Sequence, residues 1–161
     1  AGILTDAQIP LFYALAMGVD AVAALVIGKW YDVLKEKRRN HNAGLDLLIA
    51  VPVVSLVMPF FIFSGNGLFL IIGAICWGVV MGIQETIMRS AIADITSLVK
   101  RGTGYGIFNT AYGLAVFLGS SLLGFLYDQS LSSVIIAIIV IEALALIPFL
   151  MMKKEVATQP A

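Results

Sequence analysis

The sequence predicts an all-α integral membrane protein, and three observations lead there. Apolar residues make up 60% of the 161-residue chain and charged residues 12%, against about 45–50% and about 25% in soluble domains. The apolar residues gather into five runs, each long enough to cross about 30 Å of hydrocarbon as a helix. None of the runs shows the strict alternation that a barrel strand requires.

The runs occupy 10–30, 43–63, 68–95, 104–127 and 133–152. The first is rich in Gly and Ala and carries one carboxylate, Asp20, at mid-depth. The second opens beside a basic stretch with Asp46, read as a helix-start carboxylate, and Pro52 and Pro59 bend or loosen it, as membrane helices tolerate. In the third, Ala74, Gly78 and Gly82 form a small-residue face that admits a neighbouring helix. Glu85 and Arg89 follow at a spacing that puts them on one face, and the lone Cys76 is read as packing, since no internal disulfide is possible. The fourth carries Asn109 and Tyr112 as polar groups able to line a cavity. The fifth carries Glu142 at its middle. The pairs Ala14/Gly18, Ala24/Gly28, Ala115/Gly119 and Ser120/Gly124 repeat the packing reading.

Short polar segments divide the runs: "YDVLKEKRRNHN", "SGNG", "TSLVKRG" and "DQSLS", with "KKEVATQPA" closing the chain. They read as connections between antiparallel helices. Lys29, Lys35, Lys37, Arg38 and Arg39 fall in or beside the first, Lys100 and Arg101 in the third, and Lys153 and Lys154 after the last run. Five crossings bring these to one side, which basic residues mark as cytoplasmic. The C-terminus and loops 31–42 and 96–103 are then expected on that side of a plasma or bacterial inner membrane. "AGILTDAQI" has neither an initiating Met nor a basic leader, and reads as the extracytoplasmic start of a fragment.

Two run ends echo each other: "GKWYD" at 28–32 and "GFLYD" at 124–128. In the predicted topology they point in opposite directions, as inverted three-helix repeats do in transporters. "GKWYDVLKEKR" resembles the signature G-x-x-x-D-[RK]-x-G-[RK]-[RK] of the major facilitator superfamily. Gly28 and Asp32 match it, while Val33 stands at its first basic position and Lys35 at its second glycine. "RSAIADITSLVKRGTGYGIFNTAYGLAVFLGSSLLG" is similar to that superfamily's tenth helix, the following loop and the eleventh helix. The resemblance implies helices eight to twelve, part of a six-helix half of a twelve-helix fold, and a small-molecule solute moved by alternating access. It also implies a missing N-terminal half as partner, beside the lipid bilayer.

The resemblance further implies a cytoplasmic latch. Asp32 would meet the free N–H groups at the start of the fourth helix, and Arg38 would reach Asp94, with Gly28 and Arg101 at the same face; a solvated loop that merely sets topology is the competing reading. Glu85 and Arg89 read either as a structural pair or as cavity lining, since ionisable groups in spans usually face a bundle interior or water. Asp20 has no Lys or Arg at its depth, and is a candidate for binding a proton or a cationic solute, against a hydrogen-bonded structural role.

Two rival classes stay in view. An intramembrane aspartyl protease is suggested by Tyr31-Asp32 and Tyr127-Asp128, but its two carboxylates must share a proton, and these pairs end runs of opposite direction. A receptor or scaffold with a transporter-like fold is the other. No catalytic residue, cofactor, metal site or nucleic-acid partner is expected.

Overall fold

The polar punctuation of the chain becomes its turns. The computed structural model describes residues 5, 7–38 and 47–158, with side chains for all of these except 38, 149 and 152–158. Five α-helices follow one another: α1 (Ile9–Arg38), α2 (Ala50–Ile62), α3 (Gly67–Ile95), α4 (Arg101–Gln129) and α5 (Leu131–Thr158). Among the described residues no strand occurs.

Local chemistry sets the starts of the helices. Gln8 Oε1 accepts the Thr5 N–H at 2.9 Å ahead of α1, one arm of a capping box. Before α3, Asn66 Oδ1 accepts the Leu68 N–H at 2.9 Å, and Gly65 takes a positive φ of 75° that side-chain-bearing residues rarely adopt. A single residue, Ser130, joins α4 to α5, and its Oγ accepts the Ser133 N–H at 3.1 Å, satisfying a free donor of the first turn.

One expectation needs correction. The first run was expected to close near residue 30 in a loop, but α1 continues to Arg38. "YDVLKEKR" holds neither Gly nor Pro, and its Leu, Lys, Glu and Arg are good helix formers, so polarity there marks an exit from the apolar layer rather than the end of a helix. The second run, expected to cross the membrane over 43–63, is described only in part. Its described apolar helix, Leu47–Ile62, is shorter than the other four and rises only about 24 Å at 1.5 Å per residue; residues 43–46, Asp46 included, lie outside the described residues. The other four helices are long and apolar enough to cross a membrane.

Packing is uneven along the chain. Helix α1 lies against α3, α3 against α2, α2 against α5 and α5 against α4. The α1–α3 seam is backbone-close because two glycines allow it. A Cβ on Gly82 would stand 2.8 Å from the Asp20 carbonyl oxygen, and one on Gly78 would collide with the Ala16 carbonyl oxygen. Farther along, Tyr31, Leu48, Ile83 and Ile87 form a buried cluster where α1, the start of the second apolar helix and α3 converge. Helix α4, by contrast, has no buried residue. Its Phe117 and Phe125 are 66% and 64% exposed, a surface that only lipid or another helical layer makes tolerable.

Candidate functional site

Two polar constellations stand out from the apolar helices, both resting on the last turns of α3. The first joins α1 to α3. Lys35 Nζ donates to Asp94 Oδ1 at 2.6 Å, and the Tyr31 hydroxyl donates to Asp94 Oδ2 at 3.0 Å. Tyr31 and Lys35 are one helical turn apart, so they reach the same carboxylate from one face of α1. Asp94 lies in the last turn of α3, where the helix dipole disfavours a negative charge; Lys35 supplies the compensating cation. The pair is largely shielded, with side chains 28% exposed for Lys35 and 18% for Asp94.

The second constellation lies between α3 and α4. Glu85, Arg89, Asn109 and Tyr112, together with Gln84, Met88 and Phe108, line one cleft of about 40 Å³. That volume holds a few waters. Glu85 and Arg89 pair across one turn of α3 at 3.4 Å, longer than the roughly 2.7–2.9 Å of a tight charge-assisted bond. Both are open on one side, with side chains 44% and 66% exposed. The opposite wall is apolar: the rings of Phe108 and Tyr112 stack at 5.8 Å with their planes 21° apart. The Tyr105 hydroxyl donates to the Arg89 backbone carbonyl at 2.9 Å and ties the two walls together. The approach of α4 to α3 at this end depends on Gly104, where a Cβ would crowd Thr96 at 3.1 and 3.2 Å.

Other residues singled out from the sequence are placed as follows. Asp20 is half-buried on the α1–α3 seam and is not among the residues lining the cleft. Gly28 contacts the Thr86 methyl at the equivalent of 3.6 Å from a Cβ. Asp32 is exposed and, among the described residues, caps nothing; α4 begins instead from Lys100 without a side-chain cap. Along the extended α1, Asp32 stands about 100° around the helix from Tyr31 and about 60° from Lys35. Arg38 was the expected partner of Asp94, but its side chain lies outside the described residues. Arg101 opens α4 with its Nε buried and unpartnered. Of the small-residue pairs, Gly18, Gly119 and Gly124 face open space in this chain.

The sequence reading overlooked Tyr31 and Lys35 as latch groups, and Tyr105 altogether. The first two were legible: their spacing continues the face of Ala16 and Ile27 if α1 is drawn through the basic segment. Tyr105 carried no signal, because its hydroxyl bonds a backbone carbonyl sixteen residues away, and every residue has one of those.

Long apolar helices joined by tight polar turns, with ionisable groups confined to helix faces and ends, define a polytopic α-helical membrane protein. A family model described as the Major Facilitator Superfamily matches residues 3–161, and the chain belongs to that superfamily. The uncharacterised protein Rv2265 of Mycobacterium tuberculosis is 34% identical over 146 residues, covering 91% of this chain and 34% of the relative. Mycobacterium bovis has a relative, the uncharacterised protein Mb2288, with the same identity and coverage. The uncharacterised MFS-type transporter YwfA of Bacillus subtilis is 26% identical over 116 residues, covering 71% of this chain and 26% of the relative. This chain therefore spans about a third of the length of the first two relatives, and no solved structure matches it.

Proposed function

We propose that this chain is the C-terminal portion of a secondary transporter, equivalent to helices eight to twelve, and that the α3–α4 cleft forms part of its solute path. One observation carries the reading. Glu85, Arg89, Asn109 and Tyr112, two residues from each helix, line a single cleft, and charged groups in membrane helices face bundle interiors or water. The unburied surface of α4 and the greater length of the relatives support a further helical half, against which alternating access would work. The clustering of Lys and Arg supports a cytoplasmic placement of the α3–α4 connection. Asp20 is the candidate proton site: Asp20→Asn should abolish proton-driven uptake without loss of membrane expression, and uptake with unchanged pH dependence would remove it from the mechanism.

The cleft is tested by thiol accessibility in the full-length transporter with Cys76 replaced by Ala. Single cysteines at Asn109 and Tyr112 should react with a membrane-impermeant thiol reagent. One at Leu114, about 200° around α4 from Tyr112 at about 100° per residue, should not. Equal labelling at Leu114, or none at Asn109 and Tyr112, would refute a water-filled path here. In the same background, cysteines at Ser130 and Ser97 should label from opposite sides of the membrane, Ser130 from outside. Solute uptake into proteoliposomes separates a transporter from a receptor or scaffold.

A further inference from the structure

Helix α2 is loosened where it is most enclosed. Pro52, Ser55 and Pro59 are its buried residues and share one face, and Pro59 has no N–H for the Ser55 carbonyl four residues earlier. Membrane helices keep such prolines because groups on a neighbouring helix satisfy the polar atoms set free. Here the neighbour is α5, which packs on α2 and presents the Glu142 carboxyl in hydrogen-bond contact with the Ser55 side chain. Ser55 is 5% exposed, so its end of the contact is closed to water. Ile136, Val140, Leu144 and Ile147 form the exposed face of α5, and at about 100° per residue the half-buried Glu142 lies on the opposite one. Its carboxyl is turned into the seam with α2, away from the lipid side.

On the elements packed against α5, the described residues place no cation beside Glu142. Helix α2 has no Asp, Glu, Lys, Arg or His between Ala50 and Ile62. Helix α4, the other element packed on α5, turns back at Ser130 and brings Leu118 to about the level of Glu142. Its nearest titratable groups, Tyr112 and Tyr127, are about 9 and 14 Å from that level at 1.5 Å per residue. On α5 itself the next charged residues are Lys153 and Lys154, about three turns on. A carboxylate in apolar surroundings without a cation takes up a proton instead. The neutral acid also has an O–H to donate to an oxygen of Ser55, whereas a carboxylate can only accept. We propose that Glu142 is a proton-binding site of the α2–α5 seam: the neutral acid fastens α5 to α2 through Ser55, and loss of the proton releases the proline-loosened α2. The site is separate from the α3–α4 cleft, whose lining includes neither residue, and it does not depend on the cleft carrying solute.

The test uses the full-length protein in proteoliposomes. Dicyclohexylcarbodiimide, a lipid-soluble reagent that modifies protonated carboxyls, should label Glu142 at neutral pH, as located by mass spectrometry of the α5 peptide. Labelling should fall as the pH is raised to about 10, beyond the range reached by buried carboxyls. Amide hydrogen exchange of α2 should accelerate over the same range by about fivefold relative to α3, the loss expected of one hydrogen bond. Glu142→Gln, which keeps a donor and cannot ionise, should remove that pH response, and Ser55→Ala should give fast exchange of α2 already at neutral pH. Labelling of Glu142 that occurs only in acid, or at no pH, overturns the proposal. So does an α2 response to pH as large in Glu142→Gln as in the native chain, and so does labelling that falls with pH while α2 exchange holds constant relative to α3. Labelling and the pH response are both read on the native chain, so failure of either variant to fold leaves the proposal open to refutation.

Discussion

Helices α1 and α4 are of similar length and both end a Gly- and Ala-rich run in Tyr-Asp, yet the chain treats them in opposite ways. Helix α1 is pressed onto α3 so closely that Gly78 and Gly82 have no room for a methyl group, and its Ala16 and Tyr31 are buried. Helix α4 buries nothing, and the glycines Gly106, Gly113, Gly119 and Gly124 along it meet nothing within 4 Å. The contrast teaches that a glycine face in a membrane helix is permission for close approach, not evidence of it. In lipid, where no hydrophobic force drives helices together, such a face contributes only when another backbone fills it.

The comparison is broken most directly at its tight end. Gly82→Val puts a branched side chain where the first added carbon already lies 2.8 Å from the Asp20 carbonyl oxygen and from Ala23 Cβ, and should cost about 3 kcal/mol by overpacking. Gly119→Val, with open space around it, should change stability by no more than about 0.5 kcal/mol in this chain. Thermal unfolding in detergent reads both, and similar losses for the two would dissolve the distinction between the helices.

Asp94→Asn sharpens it next. The variant removes the charge that pairs with Lys35 and weakens the bond from Tyr31, and should cost about 2 kcal/mol, as expected for a part-buried hydrogen-bonded charge. A double-mutant cycle with Lys35→Met separates the pair's own coupling from the effect of leaving Lys35 unpartnered; a coupling near zero would reduce the contact to a surface ion pair. Tyr31→Phe keeps the buried ring and deletes one hydrogen bond, so a loss of about 1 kcal/mol is expected. A loss as large as that of Asp94→Asn would mean that the ring's position, not the hydroxyl's bond, had been disturbed.

The smallest effect belongs to the open helix. Tyr105→Phe removes the bond to the Arg89 carbonyl, in a position with few buried contacts, and should lower stability by about 0.5 kcal/mol, the lower end for one hydrogen bond. Its signature is geometric: disulfide trapping between cysteines placed at Gln84 and Phe108 should slow as the two walls of the cleft loosen. Unchanged trapping would show that Gly104 alone holds α3 to α4.

Much of this architecture was legible in residue order. A bilayer forces every backbone polar group to be satisfied within its own segment, so runs such as 68–95 and 104–127 had to be helices. The turns were equally readable, because Gly65, Asn66 and Ser130 are residues whose backbone freedom or side-chain oxygens make a turn or cap by local chemistry alone. The face shared by Glu85 and Arg89 followed from helical periodicity.

What the tertiary structure decided is which face meets which. Periodicity cannot say that Gly82 faces a backbone while Gly119 faces open space, since both occur in similar small-residue settings. Nor can it say that the Asp94 carboxylate is taken by groups 59 and 63 residues away. Reading the basic segment as loop hid that contact, because polarity reports where a chain leaves the apolar layer and says nothing about where its helix stops. The cleft shares this dependence on packing. Each residue could be named from its own helix, but Glu85 and Arg89 acquire a wall of Phe108 and Tyr112 only through the register of α4 on α3. That register is held by Gly104 against Thr96 and by the Tyr105 hydroxyl on a backbone carbonyl. Neither contact has a partner residue type that a sequence pattern would announce, because both depend on backbone position in three dimensions.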